Sequence, residues 1–177
     1  MKRFALLFVL FALSAGAQAA ATQVGRWLVG SGDPGVWYTA TLSVGGSDLI
    51  SMYCYPSQDT CVWRLALKTS CEKGHSHTLL ASTNLGAEPM QLRCLGSSVG
   101  PGGVINRYQF ENGDLINDRV RKANHVEFSL PRKAGGFDVV RFDLRRSVEA
   151  ITMMMKQAVR EMDAKHTRPA DVWARTQ

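Results

Sequence analysis

The chain has 177 residues, and its 21 Lys and Arg against 15 Asp and Glu give a formal net charge of +6. This length suits one domain with a single core. The net positive charge is mild, and no dense run of Lys and Arg is interleaved with aromatic residues. The sequence therefore lacks the signature of a nucleic-acid-binding protein, and we predict no nucleic-acid partner.

The first 20 residues have the three parts of a secretory signal peptide. Lys2 and Arg3 give a positive start, an apolar run extends from Phe4 to Leu13, and Ala17-Gln18-Ala19 supplies the small residues of a cleavage site. The run is too short for a membrane span, which needs about 20 apolar residues. We therefore predict that residues 1–20 are removed, leaving a mature chain of net charge +4 without stable membrane insertion. The predicted location is periplasmic or secreted.

Alternating apolar and polar residues then predict about eight short strands separated by turn signals. In chain order, these strands cover residues 36–44, 49–54, 61–69, 78–83, 90–95, 104–110, 125–130 and 137–144. The glycine-rich segment GSSVGPGG at 96–103 is interpreted as a loop, and ENGD at 111–114 as a hairpin-type turn.

Two strands have predicted faces. In the strand at 61–69, the residues assigned to one face are Cys61, Trp63, Leu65 and Leu67. In the strand at 36–44, the apolar face contains Val36, Tyr38, Ala40, Leu42 and Val44. Trp37 then lies on the opposite, polar face with Thr39. This position makes Trp37 the best candidate among the tryptophans for a residue of an exposed binding surface.

The period changes after residue 146. Apolar residues at steps of three and four predict an amphipathic helix at about 147–165, and they are Val148, Ile151, Met155, Ala158 and Met162. The predicted fold is mainly β, an antiparallel β-sandwich or open barrel with one C-terminal amphipathic helix. Residues 21–165 form one domain in this interpretation, and residues 166–177 form a loose polar tail.

Four cysteines lie in the mature chain, namely Cys54, Cys61, Cys71 and Cys94. An even number of cysteines in an exported chain predicts disulfides, because compartments outside the cytoplasm are oxidising. We favour a Cys54–Cys61 bond across a loop between two strands and a Cys71–Cys94 bond across a longer segment. A redox role is disfavoured because no Cys-x-x-Cys pair stands beside a βαβ pattern.

One segment, CEKGHSH, offers candidate metal ligands in Cys71, His75 and His77. No second ligand pair accompanies them, and an oxidised Cys71 cannot bind a metal. We interpret both histidines as polar loop residues and predict neither a metal nor a cofactor.

Two strings resemble catalytic motifs without their structural context. GSGDPG at 30–35 matches G-x-G-x-x-G, but a strand rather than a helix follows it, so it lacks the helix N-terminus that binds a pyrophosphate. GSSVG at 96–100 matches G-x-S-x-G around Ser98, but Pro101 and further glycines follow where a nucleophile elbow needs a helix. No close carboxylate pair is present, and we predict that the protein is not an enzyme.

Three consecutive methionines, Met153 to Met155, cannot all face the core from one helix. We assign Met155 to the core and name Met153 and Met154 as candidates for an exposed, adaptable binding surface.

Both ends of the mature chain carry short segments similar to the invasion-associated locus B family of exported bacterial proteins. The first is GRWLV at 25–29, and the second is VVRFDLRRSVEAI at 139–151, where a strand runs directly into a helix. The resemblance implies a small β domain in the periplasm or outside the cell, linked to host-cell entry or envelope function. It supplies no catalytic residues.

Three functions follow as hypotheses. The first is a non-enzymatic envelope or periplasmic binding protein with a link to host-cell invasion or virulence, whose partner is an unidentified protein or envelope component. The second is a periplasmic inhibitor or immunity protein against a cell-wall-degrading enzyme, since a rigid loop can enter a cleft at little cost in ordering entropy. The third, disfavoured, is a serine hydrolase that uses Ser98.

Overall fold

The computed structural model describes residues 21–33, 35–100, 103–132 and 135–166. The strands are β1 (Thr22–Val24), β2 (Trp27–Ser31), β3 (Trp37–Leu42), β4 (Leu49–Tyr55), β5 (Thr60–Leu67), β6 (Ser76–Thr83), β7 (Gly86–Gly100), β8 (Gly103–Phe110), β9 (His125–Pro131) and β10 (Phe137–Asp143). The helices are α1 (Gly113–Lys122) and α2 (Ser147–His166), and a 3-10 turn at Pro56–Gln58 joins β4 to β5. The predicted signal peptide and the chain after His166 lie outside the described residues.

The strands form one open antiparallel sheet in the order β1-β2-β3-β4-β5-β8-β7-β6-β9-β10. The last strand of this order, β10, approaches the third, β3, where Ser43, directly after β3, bridges Phe142 of β10. Beside this bridge, the Val44 N–H donates a hydrogen bond of 2.8 Å to the Arg141 carbonyl. The sheet therefore curls around its inner face without closing into a barrel, which confirms the predicted antiparallel β fold with a C-terminal helix.

The core lies on the inner face of the curled sheet and is rich in aromatic rings. Trp27 of β2 meets Trp63 of β5 edge-on, with ring centroids 6.5 Å apart. At the other end of the sheet, Phe128 of β9 packs between Phe110 and Phe142, at 5.6 and 5.9 Å. All five rings are almost fully buried. Such rings bury large apolar areas, so they anchor both halves of the sheet.

The predicted face of β5 is confirmed by burial for Trp63, Leu65 and Leu67, which are almost fully buried, whereas Cys61 near the start of the strand is exposed. The prediction for β3 is wrong: Leu42 and Val44 are exposed, whereas Thr39 and Thr41 are buried. The strand register gives the reason. Thr39 pairs with Met52 and Thr41 with Ile50, and paired residues in an antiparallel ladder share a face. Pairing with the buried residues Met52 and Ile50 therefore places Thr39 and Thr41 on the inner face, although the opposite face of β3 is the more apolar one.

Helix α1 was not predicted, because the ENGD segment was interpreted as a hairpin turn. Its buried residues are Ile116 and Val120, one helical turn apart. At its C-terminal end, the Val120 carbonyl accepts a 2.6 Å hydrogen bond from the Ser147 hydroxyl at the start of α2. This bond links the two helices at the end of the core.

The predicted glycine-rich loop at 96–103 is also wrong, because most of it is strand. Residues 96–100 continue β7, and Val99 pairs with Val104 of β8. A register shift between Cys94 and Gly96 interrupts the ladder, with Gly96 at a φ of 101°. Glycine tolerates this left-handed conformation, so the string that resembled a loop accommodates an irregularity within a long hairpin. No helix in the described part of the chain is long and apolar enough to cross a membrane.

Candidate functional site

The outer face of β3, β4, β5 and β8 carries a group of tyrosines and arginines that we call the tyrosine–arginine face. It consists of Tyr38, Tyr53, Tyr55, Arg64 and Arg107. The strand register brings them together, because Tyr38 pairs with Tyr53, Ser51 with Arg64, and Ala66 with Arg107. Successive residues of a strand point to opposite sides. Since Cys54 is buried on the inner face, its neighbours Tyr53 and Tyr55 face outward.

Arg64 is held against two tyrosine rings. Its guanidinium carbon lies 4.9 Å from the ring centroid of Tyr53 and 6.0 Å from that of Tyr55. These distances are within the range of cation–π attraction. The Arg64 Nε is buried and has no hydrogen-bond partner among the described residues. The side chain is therefore positioned by aromatic rings and retains unused hydrogen-bonding capacity.

Gly30 makes room for the third tyrosine. Tyr38 and Tyr53 lie 6.1 Å apart between ring centroids, in a tilted arrangement. A Cβ at Gly30 would lie 3.0 Å from the Tyr38 hydroxyl oxygen and 3.2 Å from the ring carbon that bears it. A side chain here would displace the ring. The first glycine of the GSGDPG string therefore has a packing role beside the tyrosine–arginine face.

The face borders a shallow pocket of about 210 Å³ between the β2–β3 loop and the outer surface of the sheet. Arg64 and Arg107 line this pocket together with one carboxylate, that of Asp33. None of these three groups forms an ion pair with another described residue. The pocket therefore has a net positive charge, and its two guanidinium groups are available to a ligand.

Leucines extend the same outer face toward the other end of β4. Leu42 of β3 pairs with Leu49 of β4, and Leu28 of β2 pairs with Ala40 of β3. Leu28 is 42% exposed and Leu42 is 48% exposed, while Leu49 is half-buried and lines the pocket. We call Leu28, Leu42 and Leu49 the leucine strip. One continuous surface thus combines aromatic, basic and apolar side chains.

Trp37 does not lie on this surface. It belongs to the inner face of β3 and is half-buried, and its Nε1 donates a 2.6 Å hydrogen bond to the Glu161 carboxylate of α2. The cause is the same as for Thr39 and Thr41. The register with β4 turns Trp37, Thr39 and Thr41 together to the inner face of the sheet. Trp37 thus helps to attach helix α2 to the sheet.

The three methionines are also distributed differently from the prediction. Met154 is fully buried, Met153 is half-buried against the core, and Met155 is 42% exposed with its sulfur 3.6 Å from that of Cys54. Of the other residues in the predicted stripe, Ile151 and Ala158 are buried, whereas Val148 is 42% exposed. A helical stripe through Ile151 and Ala158 fits either Met154 or Met155. The spacing alone could not distinguish these two orientations, so Met154 cannot form the exposed surface proposed for it.

The cysteines form the two disulfides that the sequence favoured, Cys54–Cys61 and Cys71–Cys94. Cys54 and Cys61 are direct partners across β4 and β5. Because Cys71 is bonded to Cys94, its sulfur cannot bind a metal. His75 is exposed and lies 3.5 Å from the Glu72 carboxylate, whereas His77 points toward the core beside Tyr108. Within the described residues, no group of three or more potential ligands could hold a metal ion.

His77 borders a second cleft, of about 200 Å³, at one end of the inner face. Here the Tyr108 hydroxyl donates a 2.8 Å hydrogen bond to the Thr69 carbonyl, and the Thr69 hydroxyl donates one of 2.8 Å to Asp138. Asp138 is also paired with Arg132. The hydrogen bond from Thr69 and the pairing with Arg132 lower the pKa of Asp138. Burial, with a smaller contribution from the Asp138 charge, raises the pKa of Tyr108 to about 12.

This cleft has features of a structural network. Its hydrogen bonds connect the segment after β5 with β8 and β10, and the His77 Nε2 is buried without a hydrogen-bond partner among the described residues. Ser98 lies elsewhere, exposed on strand β7 and paired with Ile105. The structure thus does not join Ser98 and His77 into a nucleophile–base pair of the kind that a serine hydrolase requires.

Sequence reasoning missed the tyrosine–arginine face. A signal was present in MYCYPS at 52–57, where tyrosines at spacing two flank a cysteine. That spacing places both tyrosines opposite the cysteine. Arg107 could not be connected to them, because β8 lies beside β5 only through the order of the strands in the sheet.

No family model matches this chain, and no curated protein matches it. Among solved structures, the chain is similar to invasion associated protein b from Bartonella henselae, with a TM-score of 0.55 and 11% sequence identity. The match covers 78% of this chain and 98% of that protein. At this identity the likeness shows a shared fold, and it supports the family resemblance of the sequence at the level of the fold.

Proposed function

We propose that this protein is an exported, non-enzymatic binding protein of the bacterial envelope and that the tyrosine–arginine face is its binding surface. The arrangement of that face supports the proposal most strongly. Tyrosine and arginine are enriched among the residues that dominate protein-binding energies. Here they stand on adjacent strands of a disulfide-bonded sheet, so little ordering entropy is lost when a partner binds.

Export is supported by two separate features. The signal-peptide pattern at residues 1–20 addresses the chain to the secretory pathway. Both disulfides suit an oxidising compartment such as the periplasm or the exterior. A role in host-cell invasion is proposed from the fold shared with the invasion-associated protein of Bartonella henselae.

Site-specific photo-crosslinking in cells that export the protein tests the binding surface. A photoreactive phenylalanine analogue would replace Tyr55 on the face or, as a control, the exposed Arg121 on α1. We expect a discrete adduct with the Tyr55 variant and none with the Arg121 variant. Equal adducts at both positions, or none at either, would contradict the proposed surface. Hydrolysis of an ester or cell-wall substrate that Ser98→Ala abolishes would contradict the non-enzymatic assignment.

The β7–β8 hairpin favours a second candidate, an inhibitor or immunity protein. Val99 and Val104 are paired near its tip and are 86% and 55% exposed. A protruding apolar hairpin on a rigid sheet suits insertion into an enzyme cleft. Inhibition of a cell-wall muramidase by the wild-type chain, lost in the Val99→Asp/Val104→Asp variant, is the expected result for this candidate. Equal inhibition by both proteins would contradict it.

A further inference from the structure

We propose that the tyrosine–arginine face binds an acidic peptide segment of a protein partner, which rests on the proposed function of this face. The segment would place carboxylates against Arg64 and Arg107 and apolar side chains along the leucine strip. Charge is the first argument. Two guanidinium groups and a single carboxylate, Asp33, line one pocket, and none is paired with another described residue.

The chemistry of Arg64 makes the charge argument specific. Its contacts with Tyr53 and Tyr55 hold the guanidinium carbon 4.9 and 6.0 Å from the ring centroids. A planar guanidinium in a fixed orientation matches the two oxygens of a carboxylate. Because the aromatic rings already restrict the side chain, binding costs less rotamer entropy than it would at a free surface arginine.

The leucine strip favours a peptide over other anions. A free phosphate or a sulfated glycan would satisfy the arginines but would leave Leu28 and Leu42 in water. A peptide supplies both carboxylates and apolar side chains. From Leu49 to Tyr55 the strand advances by six residues, about 20 Å. An extended segment of about seven residues therefore spans the surface from the leucine strip to Tyr55.

Fluorescence anisotropy with defined peptides tests the chemistry of the ligand. The probes are a fluorescein-labelled ten-residue peptide that alternates Leu with Ser in one half and Glu with Ser in the other, so that both residue types share one face of the extended chain, and the same peptide with Gln in place of Glu. The mature wild-type chain should bind the Glu peptide at least about tenfold more tightly than the Gln peptide, because each charge-assisted hydrogen bond is lost with the carboxylate. Raising the salt concentration to 1 M should weaken Glu-peptide binding through screening.

Arginine variants locate the binding. Arg64→Gln and Arg107→Gln should each weaken Glu-peptide binding about tenfold, whereas the control Arg121→Gln, which changes the net charge equally, should leave it unchanged. Urea midpoints within error of the wild-type value would show that the variants are folded. If Arg121→Gln weakened binding as much as Arg64→Gln, the effect would be one of net charge and the assigned site would be wrong.

Two further outcomes separate this inference from the proposed function. Equal affinity for the Glu and Gln peptides, with a Tyr55 photo-adduct still formed, would overturn the acidic-peptide assignment and leave the binding surface intact. Arg64-dependent binding to vesicles of anionic phospholipid, without binding of the Glu peptide, would likewise overturn it and identify a lipid phosphate as the ligand. Peptide binding that depends on Arg64 and Arg107 would support both proposals.

Discussion

Replacing both cysteines of one disulfide by alanine should destabilise the protein by an amount that depends on the loop the disulfide closes. The Cys54–Cys61 bond joins residues seven apart, and the Cys71–Cys94 bond joins residues 23 apart. In the chain-entropy model, the first bond stabilises the folded state by about 2.4 kcal/mol and the second by about 3.4 kcal/mol at 25 °C.

The comparison between the two variants is more reliable than either value, because their packing losses are similar. Each bond has one almost fully buried cysteine, Cys54 or Cys94, and one more exposed cysteine, Cys61 or Cys71. Removal of the sulfurs therefore costs a comparable amount of packing energy in both variants. The difference that remains is about 1 kcal/mol, from loop length.

Urea unfolding followed by tryptophan fluorescence would measure both free energies. The Cys71→Ala/Cys94→Ala variant should have the lower stability, and free-thiol labelling of the wild-type chain should detect no thiol. A Cys54→Ala/Cys61→Ala variant that is less stable by 1 kcal/mol or more would refute the loop argument. Such a result would indicate that the β4–β5 hairpin depends on its disulfide for native packing.

Three further predictions concern the helix α2 and the buried tyrosine. Trp37→Phe should lose about 1 to 2 kcal/mol of stability in urea unfolding, because the hydrogen bond from the indole to the Glu161 carboxylate is removed. Glu161→Gln keeps an acceptor for the indole and should lose less stability. Met154→Ala should lower the free energy of unfolding by about 2 to 5 kcal/mol, because it opens a cavity in the core. The half-exposed control Met155→Ala should lower it by less than about 1 kcal/mol. Equal losses would contradict the assigned helix face. The pKa of Tyr108 is raised to about 12, above the usual value of about 10 for an unfolded chain, so its stabilising effect is present below pH 10 and is lost as the pH rises through 12. In absorbance titration of the folded protein, an ionisation step near pH 12 should be present in the wild-type chain and missing in Tyr108→Phe.

The sequence correctly predicted the inner face of a strand where the strand's own hydrophobic pattern agrees with its pairing to neighbouring strands. In β5, alternation identified Trp63, Leu65 and Leu67 as one face, and they are buried. The same rule failed in β3, where apolar Leu42 faces outward. Alternation defines two faces, but only the pairing partner determines which one faces the core.

Helical spacing had a comparable limit in α2 and α1. The stripe in α2 fits with either Met154 or Met155, and packing against the sheet selected Met154. In α1, the glycine and asparagine of ENGD predicted a turn, although Ile116 and Val120, one helical turn apart, are buried in a helix. Tertiary packing overrides local turn preference in such a segment. The tyrosine–arginine face lay beyond prediction for a further reason, since it depends on strand order across the sheet.

The two disulfides should contribute differently to stability and to binding, which gives a test that connects the fold to the proposed site. The Cys54–Cys61 bond lies in the hairpin that carries Tyr53, Tyr55 and Arg64, on the opposite side of the same strands. Without it, the end of the hairpin should fray, and the rings that hold Arg64 should lose their fixed positions. We expect Cys54→Ala/Cys61→Ala to weaken Glu-peptide binding more than Cys71→Ala/Cys94→Ala, although it costs less stability. Anisotropy titrations at a temperature where both variants remain folded would measure this. If the losses in affinity followed the losses in stability, the face would depend on global folding alone, and a local role for the Cys54–Cys61 bond would be refuted.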